Sequence, residues 1–497
     1  MELFNQILFW VNYILVGLIS VAFTTQLLYI FFFWVPKKTY KPAKVKHRVG
    51  IIIPARNESA VIGDTVKCLF NSDYPKELFD VFVVADNCTD NTAEIARNAG
   101  AIVFEHFDDD PRHKKAGYAL QYGFEKIMAD YDRYDFFIKF DADNLMEPDY
   151  ISKMNDAFDA GVMSARGYSN SKNLTENVVS GISGLWYIRD CRYSCHVRAF
   201  LNTTQMLGGA GMMFSAEIIR KHGGWDCLSS SDDAEFAMNR LLEGIKTKYV
   251  ADAIVYEDQP TTVADTFKRN KRMGRGLFKL FFTKGIPSLG KFFYKFGWSY
   301  LDMFFNLLFV PIAVLCCIWL PLYYGYDIIY HFATGDAAYG WNAIQNICWI
   351  LAFAFVVPFI LQALLAVVLE RKRIRASFKQ MAPTILCFPL FMIIYAISIT
   401  IGVFSKPKWS AVKRSTAVSS AELFGGSAAE SAALPAKEAM AAETTDGAGE
   451  TDAGAQPADA VTEAEIVAET DTAAAEAAAA FDGDAVPEMT DEEAVLP

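Results

Sequence analysis

Residues 136–144 read FFIKFDADN, an apolar run that stops on two carboxylates, Asp141 and Asp143, with one residue between them. Three similar blocks precede it: VGIIIPARNE (49–58), VFVVAD (81–86) and AIVFEHF (101–107). Helical stretches starting near Ser59, Thr89 and Lys114 separate them. Short apolar strands alternating with amphipathic helices predict an α/β domain with a mostly parallel sheet and flanking helices. In such sheets ligands bind outside the carboxyl ends of the strands. The polar residues expected there are Arg56, Asn57 and Glu58 after the first block, Asp86 after the second, and Asp141 and Asp143 after the fourth.

Each acidic residue alone reads as readily as a helix cap or a turn residue. Three clusters from three strands converging on one edge suit chemistry better. Two carboxylates at a strand end can hold a hard divalent cation such as Mg2+ or Mn2+, which takes oxygen ligands and leaves positions for phosphate oxygens. Lys114 and Lys115, at the start of the preceding helix, add positive charge for a diphosphate. Farther on, LGGAGMMF (207–214) offers glycines that let backbone approach a ligand. GGWDCLSSSDDAEF (223–236) places Asp232, Asp233 and Glu235 where a loop enters a helix, and a carboxylate there could take a proton from a hydroxyl.

The chain around this domain is too apolar for one water-soluble unit: 53% of its 497 residues are hydrophobic. Ile7 to Val35 is a chargeless stretch long enough to span a bilayer, and with Glu2 before it and no basic n-region it does not read as a cleaved signal. Lys37, Lys38, Lys41, Lys44, Lys46 and Arg48 follow it and place the next domain in the cytoplasm by the positive-inside rule. Three more spans are expected: Leu301 to Tyr323, Asn346 to Leu369 and Pro383 to Phe404. Three crossings put residue 405 outside, yet Lys406, Lys408, Lys413 and Arg414 follow and call for the inside. Either the charge rule is overridden or one segment does not fully cross, and Pro311, Pro321, Pro383 and Pro389 mark places for a broken or re-entrant helix.

Between Leu277 and Gly297, Phe alternates with Lys as in a segment lying among lipid headgroups, or in a basic linker. From Ser415 onward the chain holds 19 Asp or Glu against a single Lys, so the whole-chain −12 divides into −18 for this tail and +6 for the rest. The tail has too few large apolar residues to offset its ordering entropy and is expected to be disordered. The basic body suits an anionic membrane surface or phosphorylated ligands; no nucleic-acid partner is expected. The nine cysteines are scattered, and Cys191, Cys195 and His196 offer too few ligands for zinc.

The order PARNE, VVADNCTDNT, KAGYAL, FDADN, GGAGMMF, GGWD with SDDAEF, and RNKRMGRG resembles the membrane-embedded family 2 glycosyltransferases, the group of cellulose, chitin, hyaluronan and poly-N-acetylglucosamine synthases. The resemblance covers roughly Val49 to Leu280 and the flanking membrane segments. It implies a GT-A fold at 37–280 between a transmembrane helix at 1–36 and, at 281–404, an interfacial segment with three transmembrane segments. A basic juxtamembrane stretch and the disordered acidic tail fill 405–497. It further implies inverting transfer of a sugar, expected as a UDP-linked hexose or N-acetylhexosamine, to a glycan or lipid-linked acceptor at the cytoplasmic face, with membrane lipids as partners.

Carried over by motif, Pro54, Arg56, Glu58, Asp86, Lys115, Asp141 and Arg272 would bind the nucleotide sugar, with Glu58 and Asp86 on the uridine. Asp143, with Asp141, would hold Mg2+ or Mn2+, and Asp233 would be the general base. Gly208, Gly209, Gly211, Asp232 and Arg269 fall on the acceptor side. Ser231-Asp232-Asp233 stands where the family has T-E-D. Its Q-x-x-R-W is represented by Arg269, Asn270, Lys271, Arg272 and Met273, so the arginine survives while the tryptophan that supports a growing sugar end is lost. One or few additions are therefore expected. Transfer to polyprenyl phosphate, or a non-catalytic membrane scaffold on a degenerate transferase domain, are the alternatives.

Overall fold

In the computed structural model, which describes residues 2–32, 34–405 and 419–424, the apolar blocks become strands of one eight-stranded sheet. The strands are β1 (Val49–Ala55), β2 (Phe79–Asp86), β3 (Ile102–His106), β4 (Phe136–Lys139), β5 (Leu145–Met146), β6 (Ser164–Ser171), β7 (Met212–Ser215) and β8 (Lys248–Glu257). They lie in the order β3-β2-β1-β4-β7-β6-β8-β5. β1 pairs in parallel with β2 and β4, β2 with β3, and β6 with β8. β7 runs antiparallel to β4 and β6, and β5 to β8. The parallel arrangement thus holds through the first four strands, and the sheet turns mixed at β7. β7 starts at the carboxyl edge and runs backwards, so it opposes both of its neighbours.

That reversal gathers the chemistry. Because β7 opposes both β4 and β6, and β8 follows β6, the carboxyl ends of β1, β2, β3, β4, β6 and β8 share one edge with the amino end of β7. Side chains alternate across the sheet. Ile51, Ile53, Val81, Val83 and Ile138 fill one core, with residues of the helices Ile62–Phe70 and Tyr150–Asp159. Ile52, Phe82, Val84 and Phe137 fill the other, under the helix Ala116–Asp130. Burial on both faces is why these strands read as continuous apolar runs. In the second core Trp225 stacks on Phe236 with ring centroids 5.0 Å apart, both fully buried. Truncating Phe236 to Ala is worth about 3–5 kcal/mol by the usual cost of such cavities.

Among the described residues four helices are long and apolar enough to cross a membrane: Leu3–Ser20 within the helix Glu2–Phe31, then Trp298–Ala333, Ala337–Leu369 and Phe378–Phe404. Pro311 and Pro321 lie inside the second and Pro383 and Pro389 inside the fourth, and neither helix breaks at them. Each proline removes one backbone donor, and the flanking turns keep theirs. Between Leu280 and Trp298 the chain continues as the helix Ile286–Lys295, which leaves Phe282, Ile286, Phe293, Tyr294 and Phe296 exposed beside Lys284 and Lys295.

The helices Val178–Asp190 and His196–Phe200 run on through a widened turn at Cys191–Cys195. Arg198 donates from Nε to Asp302 Oδ2 at 2.9 Å, and Tyr29 Oη donates to Asp302 Oδ1 at 2.8 Å, all three buried. This clamp ties the first helix and the Trp298–Ala333 helix to the sheet domain, and it accounts for the acidic residue within a span. Most of the acidic tail, and the basic residues 406, 408, 413 and 414, lie outside the described residues. Within the tail, Ser420–Phe424 forms a helical turn against the sheet domain. Ser420 donates to Asp64 from its backbone N–H (2.7 Å) and its hydroxyl (2.8 Å), and Phe424 meets the Tyr256 ring edge-on at 5.9 Å.

Candidate functional site

At the carboxyl edge a cavity of about 1720 Å³ opens between the sheet and the apolar helices. β4 delivers Lys139, and a tight turn after it delivers Asp141 and Asp143. The turn is pinned by Asn144, whose Oδ1 accepts from the Asp141 N–H at 2.8 Å, and by Thr65, whose hydroxyl donates to the Ala142 carbonyl at 2.8 Å. Opposite stands the helix Asp232–Glu243, with Asp232, Asp233 and Glu235 in its first turn, where the helix dipole favours negative charge. Asp232 and Asp233 face the cavity, whereas Glu235 folds back to accept the Ser229 N–H at 2.9 Å.

Lys139 joins the two sides. Its buried Nζ lies 3.5 Å from Asp141 Oδ1 and 3.5 Å from Asp232 Oδ2. Burial alone would drive the ammonium toward neutrality; Asp232, Asp141 and Asp233 overcome this and hold its pKa above that of an ordinary lysine. Asp233 moves the other way. Burial first, and then the Asp232 carboxylate, push it up to about 6, against the pull of Lys139 and of the Ala234 N–H that it accepts at 2.8 Å. A carboxylate poised near neutrality beside a fixed cation is suited to accept a proton.

Glu257, at the end of β8, also lines the cavity. Burial and the nearby Asp141 and Asp143 push it to about 7, while a Ser169 hydrogen bond and Arg166 draw it down. Gly209 lies so near Asp141 that a Cβ there would stand 2.9 Å from Oδ2, so a larger residue would shift that carboxylate. On the far wall the helix Val263–Leu280 contributes Arg269, Arg272 and Met273. Arg269 donates to Gln259 Oε1 at 2.9 Å and lies over the Tyr187 ring. The floor is apolar and includes Phe309, Val310, Phe359, Met392 and Tyr395 from the long helices.

The cavity brings together Arg56, Lys115, Asp141, Asp143, Gly208, Gly209, Asp232, Asp233, Arg269 and Arg272. Pro54, Glu58, Asp86 and Gly211 stand outside its lining. Asp86 is buried at the end of β2, where its Oδ1 is paired with His106 Nδ1 at 2.8 Å and accepts from Asn87 Nδ2 at 2.9 Å. Gly211 has a left-handed φ of 63° and its carbonyl accepts from the Tyr150 hydroxyl, a turn role that leads into β7. Lys139 and Glu257 were not anticipated. Both carried a signal: a lysine inside an otherwise apolar strand, and a run, AIVYED, that ends on acids as FFIKFDAD does.

The family model "Glycosyltransferase like family 2" matches residues 47–276, the segment that holds the sheet, Asp141, Asp143, Asp233 and Arg272. Residues 47–276 form a glycosyltransferase family 2 domain. Among proteins similar to it, the probable glycosyltransferase YdaM of Bacillus subtilis is 26% identical over 245 residues, 46% of this chain and 55% of that protein. The poly-beta-1,6-N-acetyl-D-glucosamine synthase of Staphylococcus epidermidis is 20% identical over 258 residues, 50% of this chain and 60% of that one. The chain spans about half the length of the first curated relatives it matches. The solved mannosyltransferase PcManGT of Pyrobaculum calidifontis, in complex with GDP-Man and Mn2+, aligns with a TM-score of 0.48 at 15% identity, over 78% of this chain and 97% of that one. The mixed sheet with flanking helices is like a GT-A arrangement, and it is joined to apolar helices long enough to cross a membrane.

Proposed function

We propose that this glycosyltransferase inverts the sugar it transfers, takes it from a UDP-linked hexose or N-acetylhexosamine, and delivers it to a lipid-linked or glycan acceptor at the cytoplasmic membrane face. The observation that carries the reading is Asp233, raised toward neutrality and facing Asp141 and Asp143 across one cavity with Lys139 between. Asp233 accepts the proton of the acceptor hydroxyl as its oxygen bonds to the anomeric carbon. The bond from that carbon to the donor diphosphate breaks on the opposite face. Lys115 and Arg272, on the cavity wall, stabilise the departing charge.

Among the described residues no three His, Cys, Asp or Glu side chains form a metal site of their own. A hard divalent cation can take one or two carboxylates and complete its shell with substrate phosphate oxygens. Asp143 and Asp141 would hold Mg2+ or Mn2+, which supplies charge neutralisation of the diphosphate. The six cations at 37–48, directly after the first helix, support a cytoplasmic domain.

The apolar cavity floor favours an acceptor with a lipid part, which gives polyprenyl phosphate standing as a second reading. Nucleoside diphosphate release by purified protein, with polyprenyl phosphate or oligosaccharide primers and Mg2+ or Mn2+, separates the two. Stimulation by the primers alone rejects the polyprenyl reading, and no release with any UDP-sugar rejects the donor assignment.

A further inference from the structure

Three of the four long helices share a pattern that the fourth lacks. In Trp298–Ala333 every buried residue lies between Ser299 and Val314, at the end that meets the sheet domain, and none lies beyond. The remaining 19 residues are about 28 Å of helix, the thickness of a hydrocarbon core. In the stretch Ala337–Leu369, among the described side chains and apart from Gly340, burial is confined to Gln362, Ala363, Ala366 and Val367 at the other end. The Leu3–Ser20 window of the first helix is not buried at all. Phe378–Phe404, by contrast, is buried from Met381 to Gly402.

Both of its ends rest on the glycosyltransferase domain. Just before it, Arg373 donates to the Ala251 carbonyl at 2.7 Å and Arg375 to Glu147 at 3.1 Å. Near its start, Thr384 sits so close to Gly181 that a Cβ there would collide with its hydroxyl. Midway, Trp186 packs on Phe391 and Tyr395, with ring centroids at 5.7 and 5.8 Å. At its end a Cβ on Gly402 would collide with the Lys271 carbonyl, and Arg275 donates to the Ser405 carbonyl. Twenty-seven residues make a helix of about 40 Å. A helix that crossed a bilayer would carry one end some 30 Å away from a domain that touches the other.

We infer that Phe378–Phe404 lies in the plane of the membrane beneath the glycosyltransferase domain, and that the chain emerges at Ser405 on that domain's side. Leu386, Leu390, Ile393, Ile397, Ile401 and Phe404, spaced by three or four residues, form its exposed stripe. The partner of this stripe is the acyl-chain boundary of a lipid leaflet. The segment is apolar enough to resemble a span because one face is buried in protein and the other in lipid. Two crossings after the domain, at Trp298–Ala333 and Ala337–Leu369, then agree with the cations at 406, 408, 413 and 414. The contact of Ser420 with Asp64 is independent support, since Asp64 belongs to the same domain.

The test is protease access in oriented vesicles, using the full chain with a tag appended after Pro497, a tag inserted at the open surface turn at Gly161, or one at Gly335 between the two crossings. The Gly161 and C-terminal tags are expected to be cut from the same side and the Gly335 tag only from the other. Any other sorting overturns the inference. If the Gly335 insertion disturbs folding, Thr334→Cys labelled with a membrane-impermeant maleimide reports the same loop.

Discussion

Lys139 is the residue on which the site's electrostatics turn. It is buried, and two carboxylates on opposite walls reach it at the same distance. Replacing it by Met leaves Asp232 and Asp141 without their cation, at a cost of about 3–5 kcal/mol to stability by analogy with other broken buried pairs. It also removes a pull that keeps Asp233 ionised. In wild type the transfer rate is expected to fall as pH drops through about 6, where Asp233 takes up its proton and ceases to act as a base. In Lys139→Met that acid limb is expected to move to higher pH, together with a lower unfolding temperature. A pH–rate profile beside a thermal melt checks both, and an unmoved limb would show that Lys139 does not tune the base. The carboxylates themselves were legible because acids at the ends of apolar strands stand out. Lys139 lies in the same run but its role is not legible there, since alternation along a short strand does not say which inward position meets an acid from a helix far along the chain.

Among the elements, the Arg198–Asp302–Tyr29 clamp decides how membrane helices meet the sheet domain. Asp302→Asn or Arg198→Met leaves one charge buried without its partner, and each is expected to cost about 3–5 kcal/mol. Tyr29→Phe removes one hydrogen bond to a charged acceptor, about 1.5–3 kcal/mol. Melting temperatures of the detergent-solubilised full chain should rank the variants in that order. The double change Arg198→Met with Asp302→Leu should recover part of the loss. β1, β2 and β4 were legible because they are apolar on both faces. β6 was not: SARGYSNS is mostly polar, yet every residue of it is buried. Several of its polar groups are satisfied from inside, as where the Ser164 and Thr247 hydroxyls pair at 3.0 Å and Asn170 donates to the Arg373 carbonyl at 3.0 Å. Hydropathy does not register such a strand, because tertiary hydrogen bonds, beside the burial of Ala165 and Tyr168, keep it in place.

For the whole molecule, the proposed membrane glycosyltransferase has Met273 on its cavity wall, at the position where the family it resembles carries a tryptophan. Products sized from a single binding event should carry one or few added sugars, and long chains would contradict that reading. The central claim is that Asp233 performs the proton transfer at this cavity, and the most direct measurement compares donor turnover by wild type and Asp233→Asn at pH 7.5 with Mg2+ or Mn2+ and acceptor. Wild type is expected to release nucleoside diphosphate in step with labelled product. Asp233→Asn is expected to lose about 10²–10⁴-fold in rate while still binding donor. Undiminished turnover in Asp233→Asn, or no turnover of any nucleotide sugar by wild type, would contradict it.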